Sequence, residues 1–159
     1  MHTAARRLGL CLACTLGLGP FLFARPPARP EELTGKVVPL ADLVAKTGGR
    51  LDPDAAPHWL GLVRDDGKVY PLVKDSGSRL FFKDKDLLNR PMRLTGRLLP
   101  GSRLLQVSSA HSLIKGRPHE IYYWCEVCSI KRGEKNVCEC CGGPMELLLE
   151  PAESNRAQL

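Results

Sequence analysis

The sequence predicts a mainly β protein: a small β domain with one or two short helices, a compact cysteine-held segment after it, and a hydrophobic helix before it. Three observations carry this expectation. Apolar residues between positions 33 and 118 come in short runs, and the 159-residue chain holds 13 Pro and 15 Gly; such punctuation favours short strands over long helices. Residues 8–24 contain no charged side chain. Five of the seven cysteines fall between positions 125 and 141. A hydrophobic content of 43% with 25% charged residues is that of a foldable chain. The length allows one ordinary domain plus appendages.

Taken in order, residues 1–24 read as a targeting segment. Arg6 and Arg7 precede the uncharged stretch, whose 17 residues exceed a signal-peptide core and fall just short of the ~20 that span a bilayer. An anchor that stays, a signal that is cut, and a buried core segment all fit. Cys14 follows Leu12 and Ala13 in a loose likeness to a lipoprotein box, but Cys11 stands where Leu is expected; both cysteines read as small hydrophobes. The short N-terminal tail favours a folded part outside the cytoplasm, in a bacterial cell envelope. Residues 25–32 form a stiff proline linker.

The β domain is expected over 33–118. A short apolar run, 36–40, is broken by Pro39, and Leu40, Leu43 and Val44 lie at helical spacing before Gly48 and Gly49 stop the helix. Strands over 59–63 and 69–73 are joined through Asp66 and Gly67, a tight-hairpin signal. A third short strand is expected over 79–82, then a brief helical turn capped by Asp84. Met92, Leu94 and Leu98 lie on a strand in which Gly96 marks a bulge or a sharp bend. Pro100 and Gly101 turn the chain, and 104–107 returns as its partner.

Met92-Arg93-Leu94-Thr95-Gly96-Arg97-Leu98, the turn, and Leu104-Leu105-Gln106-Val107 resemble the late hairpin of OB-fold barrels. The layout is also similar to that of small uncharacterised exported bacterial proteins. The resemblance implies a barrel that binds oligonucleotides, oligosaccharides or peptides, or packs on another subunit. Trp59, Tyr70, Phe81 and Phe82 are the candidate base-stacking platforms; on strands of a small domain, aromatics more often fill the core. The formal charge of +6 adds little to a nucleic-acid reading. Residues 1–30 hold Arg6, Arg7, Arg25 and Arg29 and no acid, leaving 19 basic against 17 acidic residues in 31–159, without a basic stripe.

The strongest signal lies in two C-x-x-C pairs, Cys125/Cys128 and Cys138/Cys141, separated by nine residues. Two residues between cysteines turn the chain so that both sulfurs meet one metal, and two such turns supply the tetrahedral four-sulfur shell that Zn²⁺ favours. The Cys138-Glu139-Cys140-Cys141-Gly142-Gly143-Pro144-Met145 wording resembles a zinc-ribbon knuckle. That resemblance implies a ribbon over 119–150 with strands near 120–124 and 145–149, a tip over 131–136, and a left-handed Gly142. Residues 151–159 are expected to be a disordered tail. Cys140 is either a spare thiol or an alternative ligand; its adjacency to Cys141 argues for Cys138 instead. Two disulfides are the competing reading in an oxidising compartment, though five cysteines after the leader is an odd number. A redox dithiol or an iron centre is the remaining alternative.

Four thiolates leave no open position for a reactive water, so the expected Zn²⁺ is structural, holding a segment too small to fold by burial alone. No phosphate-cradling glycine loop, nucleophile elbow or paired carboxylate points to an enzyme. His119 with Tyr123 is similar to the pair in the periplasmic haem chaperone of cytochrome c maturation, but the rest of that motif is missing; Tyr122, Tyr123 and Trp124 read as junction packing. His58 reads as a surface or hydrogen-bonded histidine. The expectation is a non-catalytic envelope module acting on an unknown protein partner, with a nucleic-acid module and a thiol-redox or haem-handling factor as rivals.

Overall fold

The computed structural model describes residues 29–152. The targeting segment 1–24, the first half of the linker (25–28) and residues 153–159 lie outside the described residues. No helix among the described residues is long and apolar enough to cross a membrane.

Strand β1 (Glu31–Pro39) buries Leu33 and Val37, an even spacing that sends both to one face. It begins inside the stretch expected to be linker, and its first half pairs with a later strand. Helix α1 (Leu40–Lys46) follows and ends before Gly48, whose φ of 80° is a left-handed stop. Strands β2 (Leu60–Val63) and β3 (Val69–Pro71) form the expected hairpin. Its loop is closed by the Asp66 carboxylate accepting from the Lys68 N–H at 3.1 Å, with Gly67 at φ 77°.

The strand expected over 79–82 is instead helix α2 (Arg79–Lys83). Leu80 and Phe81 are both buried, which successive residues of a strand cannot manage against one core, because they point to opposite faces. The preceding turn sets this up. The buried Ser78 hydroxyl donates to the Val73 carbonyl at 2.5 Å, and the Asp75 carboxylate accepts from the N–H groups of Gly77 and Ser78. A 3₁₀ turn (Lys85–Leu87) comes next, with Asp84 accepting from the Asp86 N–H as a cap.

Strands β4 (Pro91–Leu98) and β5 (Leu105–Ile114) form the longest hairpin, and their register slips between Thr95 and Gly96, where the bulge was expected. A Cβ on Gly96 would collide with the Gln106 carbonyl. Strand β5 runs seven residues beyond Val107, then turns through Lys115 and Gly116 at φ 50° and 76° into β6 (Arg117–Cys125). Two left-handed residues in a two-residue loop match the twist of the strands they join. Strands β7 (Ile130–Arg132) and β8 (Glu146–Pro151) complete the fold.

All of these strands pair antiparallel, in the order β3-β2-β1-β4-β5-β6-β7, with β8 on the other side of β6. One parallel bridge, Leu72↔Leu105, joins the end of β3 to the start of β5, with the Val73 N–H donating to the Leu105 carbonyl at 2.9 Å. The main core gathers Val37, Leu62, Phe81, Leu87, Met92, Leu94 and Leu105. A second small cluster holds Tyr123, Cys125, Cys138 and Met145. Strand β6 serves both: it pairs with β5 over 117–120, with β8 over 119–124 and with β7 over 123–125. It runs unbroken across the 118/119 boundary.

Candidate metal centre

Cys125 ends β6, and the Ser129 N–H reaches back to its carbonyl at 2.8 Å, closing the first turn. Ser129 takes φ 53°. In the second turn the Gly142 N–H donates to the Cys138 carbonyl at 2.8 Å, with Gly142 at φ 69°. Each turn therefore places a left-handed residue directly after its second cysteine. Glycine takes that conformation freely, whereas Ser129 must be held in it by the turn. The Cys138 N–H donates to the Gly143 carbonyl at 2.8 Å, and Val137 bridges Pro144, fastening the second turn at its base.

These two turns bring the sulfurs of Cys125, Cys128, Cys138 and Cys141 within 4.8 Å of one another, with Cys125 and Cys141 3.6 Å apart. A tetrahedral shell with metal–sulfur bonds of 2.3 Å spaces its sulfurs about 3.8 Å apart, so small adjustments would seat one ion. The cysteines are free thiols. Cys125 and Cys138 are buried, Cys128 is half-buried and Cys141 is exposed, so the cluster sits at the surface with two sulfurs inside. Cys140 is exposed and lies outside the set of four.

The electrostatics suit cation binding. Backbone N–H groups of Cys141 and Cys140 point at the Cys138 sulfur and bring its thiol down to about 6. The Gly143 N–H is 3.4 Å from the Cys141 sulfur. At Cys125 the N–H of Cys128 favours the thiolate, but burial and the neighbouring thiols win and push the group up. Cys128 is pushed up by the thiols of Cys140 and Cys141 and by burial. Thiols brought this close resist ionising together, and a cation at their centre would remove that resistance. The cluster can hold a metal ion through four donors, which fills a tetrahedral shell.

The turns are tied to the β domain at the junction where Tyr122, Tyr123 and Trp124 were expected to pack, by a seam of polar bonds that the sequence reading did not anticipate. The Asp84 side chain is 2% exposed. It accepts from the Tyr123 hydroxyl at 2.7 Å, from the Lys135 ammonium at 3.1 Å and from the Asp86 N–H at 3.1 Å. Burial alone would push the carboxyl up; the three donors outweigh it and hold it below the usual carboxylate range. Alongside, the Lys83 ammonium donates to Glu134 at 3.2 Å and to Asn136 at 2.9 Å, and Arg79 lies 3.7 Å from Glu134. Of residues 131–136, expected as a ribbon tip, 131 and 132 pair with β6 in β7, while Glu134 and Asn136 bond α2. The one available signal was an acid set next to Phe81, Phe82 and Lys83.

The other candidates separate clearly. Tyr70 and Phe81 are core, Phe82 packs against it, and Trp59 is 51% exposed. Tyr122 and Tyr123 are buried, with the Tyr123 hydroxyl committed to Asp84. Glu150 beside the Tyr122 hydroxyl and burial push that phenol up to about 12. The His119 Nδ1 lies 2.9 Å from the Arg117 carbonyl, and the His58 Nδ1 is 2.9 Å from the Lys74 ammonium. His111 Nδ1 is buried without a hydrogen-bond partner.

Compared with protein-family models, with curated proteins and with solved structures, the chain matches none.

Proposed function

We propose that this chain is a non-catalytic, zinc-held binding module, an OB-like barrel continued into a four-cysteine zinc ribbon, carried at a cell envelope by its N-terminal segment. The observation that carries the reading is the convergence of four cysteine sulfurs within 4.8 Å from two similar turns. Four thiolates in a tetrahedral set select Zn²⁺ or an iron–sulfur centre among the common metals. The backbone N–H groups aimed at Cys138 and Cys141 orient those ligands as outer-shell donors do around a structural metal. Bound there, zinc would supply cross-linking of 125–128 to 138–141. It would hold no water for attack, so the site has a structural role.

The barrel reading draws on strand connectivity. Strand β1 pairs with β2 and β4, β2 with β3, and β4 with β5, while the Leu72↔Leu105 bridge carries β3 to β5. Four antiparallel pairings and this one isolated bridge support a barrel-like curl of five strands, with α2 between β3 and β4.

Metal analysis of the purified chain under reducing conditions tests the proposal. One zinc per chain is expected, lost in Cys125→Ser and in Cys138→Ser and kept in Cys140→Ser. A metal-free chain with paired cysteines overturns it, and iron in place of zinc overturns the metal assignment.

A further inference from the structure

We propose that the two apolar grooves bordered by Trp59 bind an extended peptide segment with apolar side chains and a carboxylate. The inference deepens the reading of this chain as a binding module and makes no use of the metal.

Trp59 sits between the 3₁₀ turn Ala56–His58 and β2, and its backbone is pinned. Its N–H donates to the Ala56 carbonyl at 3.3 Å, and its own carbonyl accepts from the Leu40 N–H at 2.9 Å. A fixed backbone therefore holds the indole outward, 51% exposed, although tryptophan has more apolar area to hide than any other side chain. Trp59 borders a groove of about 360 Å³ walled by Leu40, Leu43, Val44, Leu51 and Pro71, with no charged lining residue. A second, smaller groove of about 140 Å³ that Trp59 also borders is lined by Leu72, the 38% exposed Leu104, His58 and Lys74.

Neither groove has an acid in its lining. The Lys74 ammonium stands 2.9 Å from His58 Nδ1 and 5.3 Å over the Phe82 ring, contacts that fix its position without neutralising its charge. Asp75, the next residue, is turned away into bonds with Gly77, Ser78 and Gln106. The two grooves are thus lined mainly by apolar side chains, with Lys74 the one cationic group among them, which complements a peptide with aliphatic side chains and a carboxylate. A single-stranded nucleic acid fits less well. It stacks successive bases on successive aromatics and needs cations along its path, whereas Trp59 is the one exposed large aromatic among the described residues.

The test titrates the full chain with the capped peptide acetyl-Glu-Leu-Pro-Leu-Glu-amide, by calorimetry and tryptophan fluorescence, with metal content measured on the same samples. Saturable one-to-one binding is expected, weakened about tenfold or more in Trp59→Ala and in Lys74→Glu, as for an interface anchor. Both side chains are exposed, so the variants should melt with the parent protein. Absent saturation, equal binding by the variants, or tight binding of oligo-dT through Trp59 each overturns the inference. Metal-loaded protein that ignores the peptide refutes this inference alone; metal-free protein refutes the reading beneath it.

Discussion

Replacing Tyr123 with Phe removes one hydroxyl from the seam and tests how firmly the cysteine-bearing turns are held to α2. The hydroxyl donates to Asp84 at 2.7 Å, and both side chains are buried. A hydrogen bond to a charged acceptor contributes about 1.5–3 kcal/mol, and deleting the donor leaves the carboxylate short of a partner. A loss near 2 kcal/mol is expected, or about 4–8 °C in melting temperature for a protein of this size. The Lys135 contact to the same carboxylate comes from a side chain 47% exposed, so Lys135→Met should cost at most about 1 kcal/mol.

The acid limb separates the carboxylate's contribution from simple packing. Asp84 is depressed in the folded protein. Its contribution is therefore fully present above the unfolded value of about 3.9 and is lost as pH falls through the lower folded value. The difference between parent and Tyr123→Phe should stay flat from neutral pH down to about pH 5 and shrink below about pH 4. Denaturant melts of both proteins across that range are the assay. A deficit under about 0.5 kcal/mol at pH 7, a deficit that persists in strong acid, or a larger loss from Lys135→Met would refute the reasoning.

If the cysteine cluster holds the proposed metal, chelation, or Cys125→Ser, should abolish amide protection in 125–151 before that of β4 and β5, as hydrogen exchange would reveal; equal loss in both regions would mean the metal holds more than its own turns. Gly96→Ala forces a Cβ against the Gln106 carbonyl and should destabilise by roughly 1–3 kcal/mol, whereas Gly133→Ala, with open space around it, should be near neutral in the same melts. Leu87→Ala empties a fully buried core position beneath the 3₁₀ turn and should cost about 2–5 kcal/mol by denaturant unfolding.

Local chemistry was legible wherever it was self-sufficient. The turn through Asp66 and Gly67, the slip at Gly96 and the stop at Gly48 each depend on one backbone position that glycine or a short acid satisfies. The two C-x-x-C pairs stood out for the same reason. What stayed hidden depended on distant partners. Residues 79–83 carry a strand-like apolar run, and only the Ser78–Asp75 turn and a core on one side make them helical. The first residues of β1 look like linker because their hydrogen-bond partners, 91–96, lie some sixty residues on. Lys115-Gly116 was an overlooked turn signal, and missing it truncated β5 and delayed β6. Asp84 was read as a cap, which it is, but no spacing rule connects it to Tyr123, 39 residues away.

The unbroken run of β6 from the Lys115-Gly116 turn to Cys125 has a consequence for anyone who would cut or graft this protein. A protease seeking a scissile joint between the two halves meets paired backbone at each step, with β5, β8 and β7 in succession. The cysteine-bearing part is therefore no cassette to be excised or transplanted: severing it at residue 118 would take away the strand that closes the flank of β5 and would leave Ile121, Leu147 and Leu149 without the core they pack against.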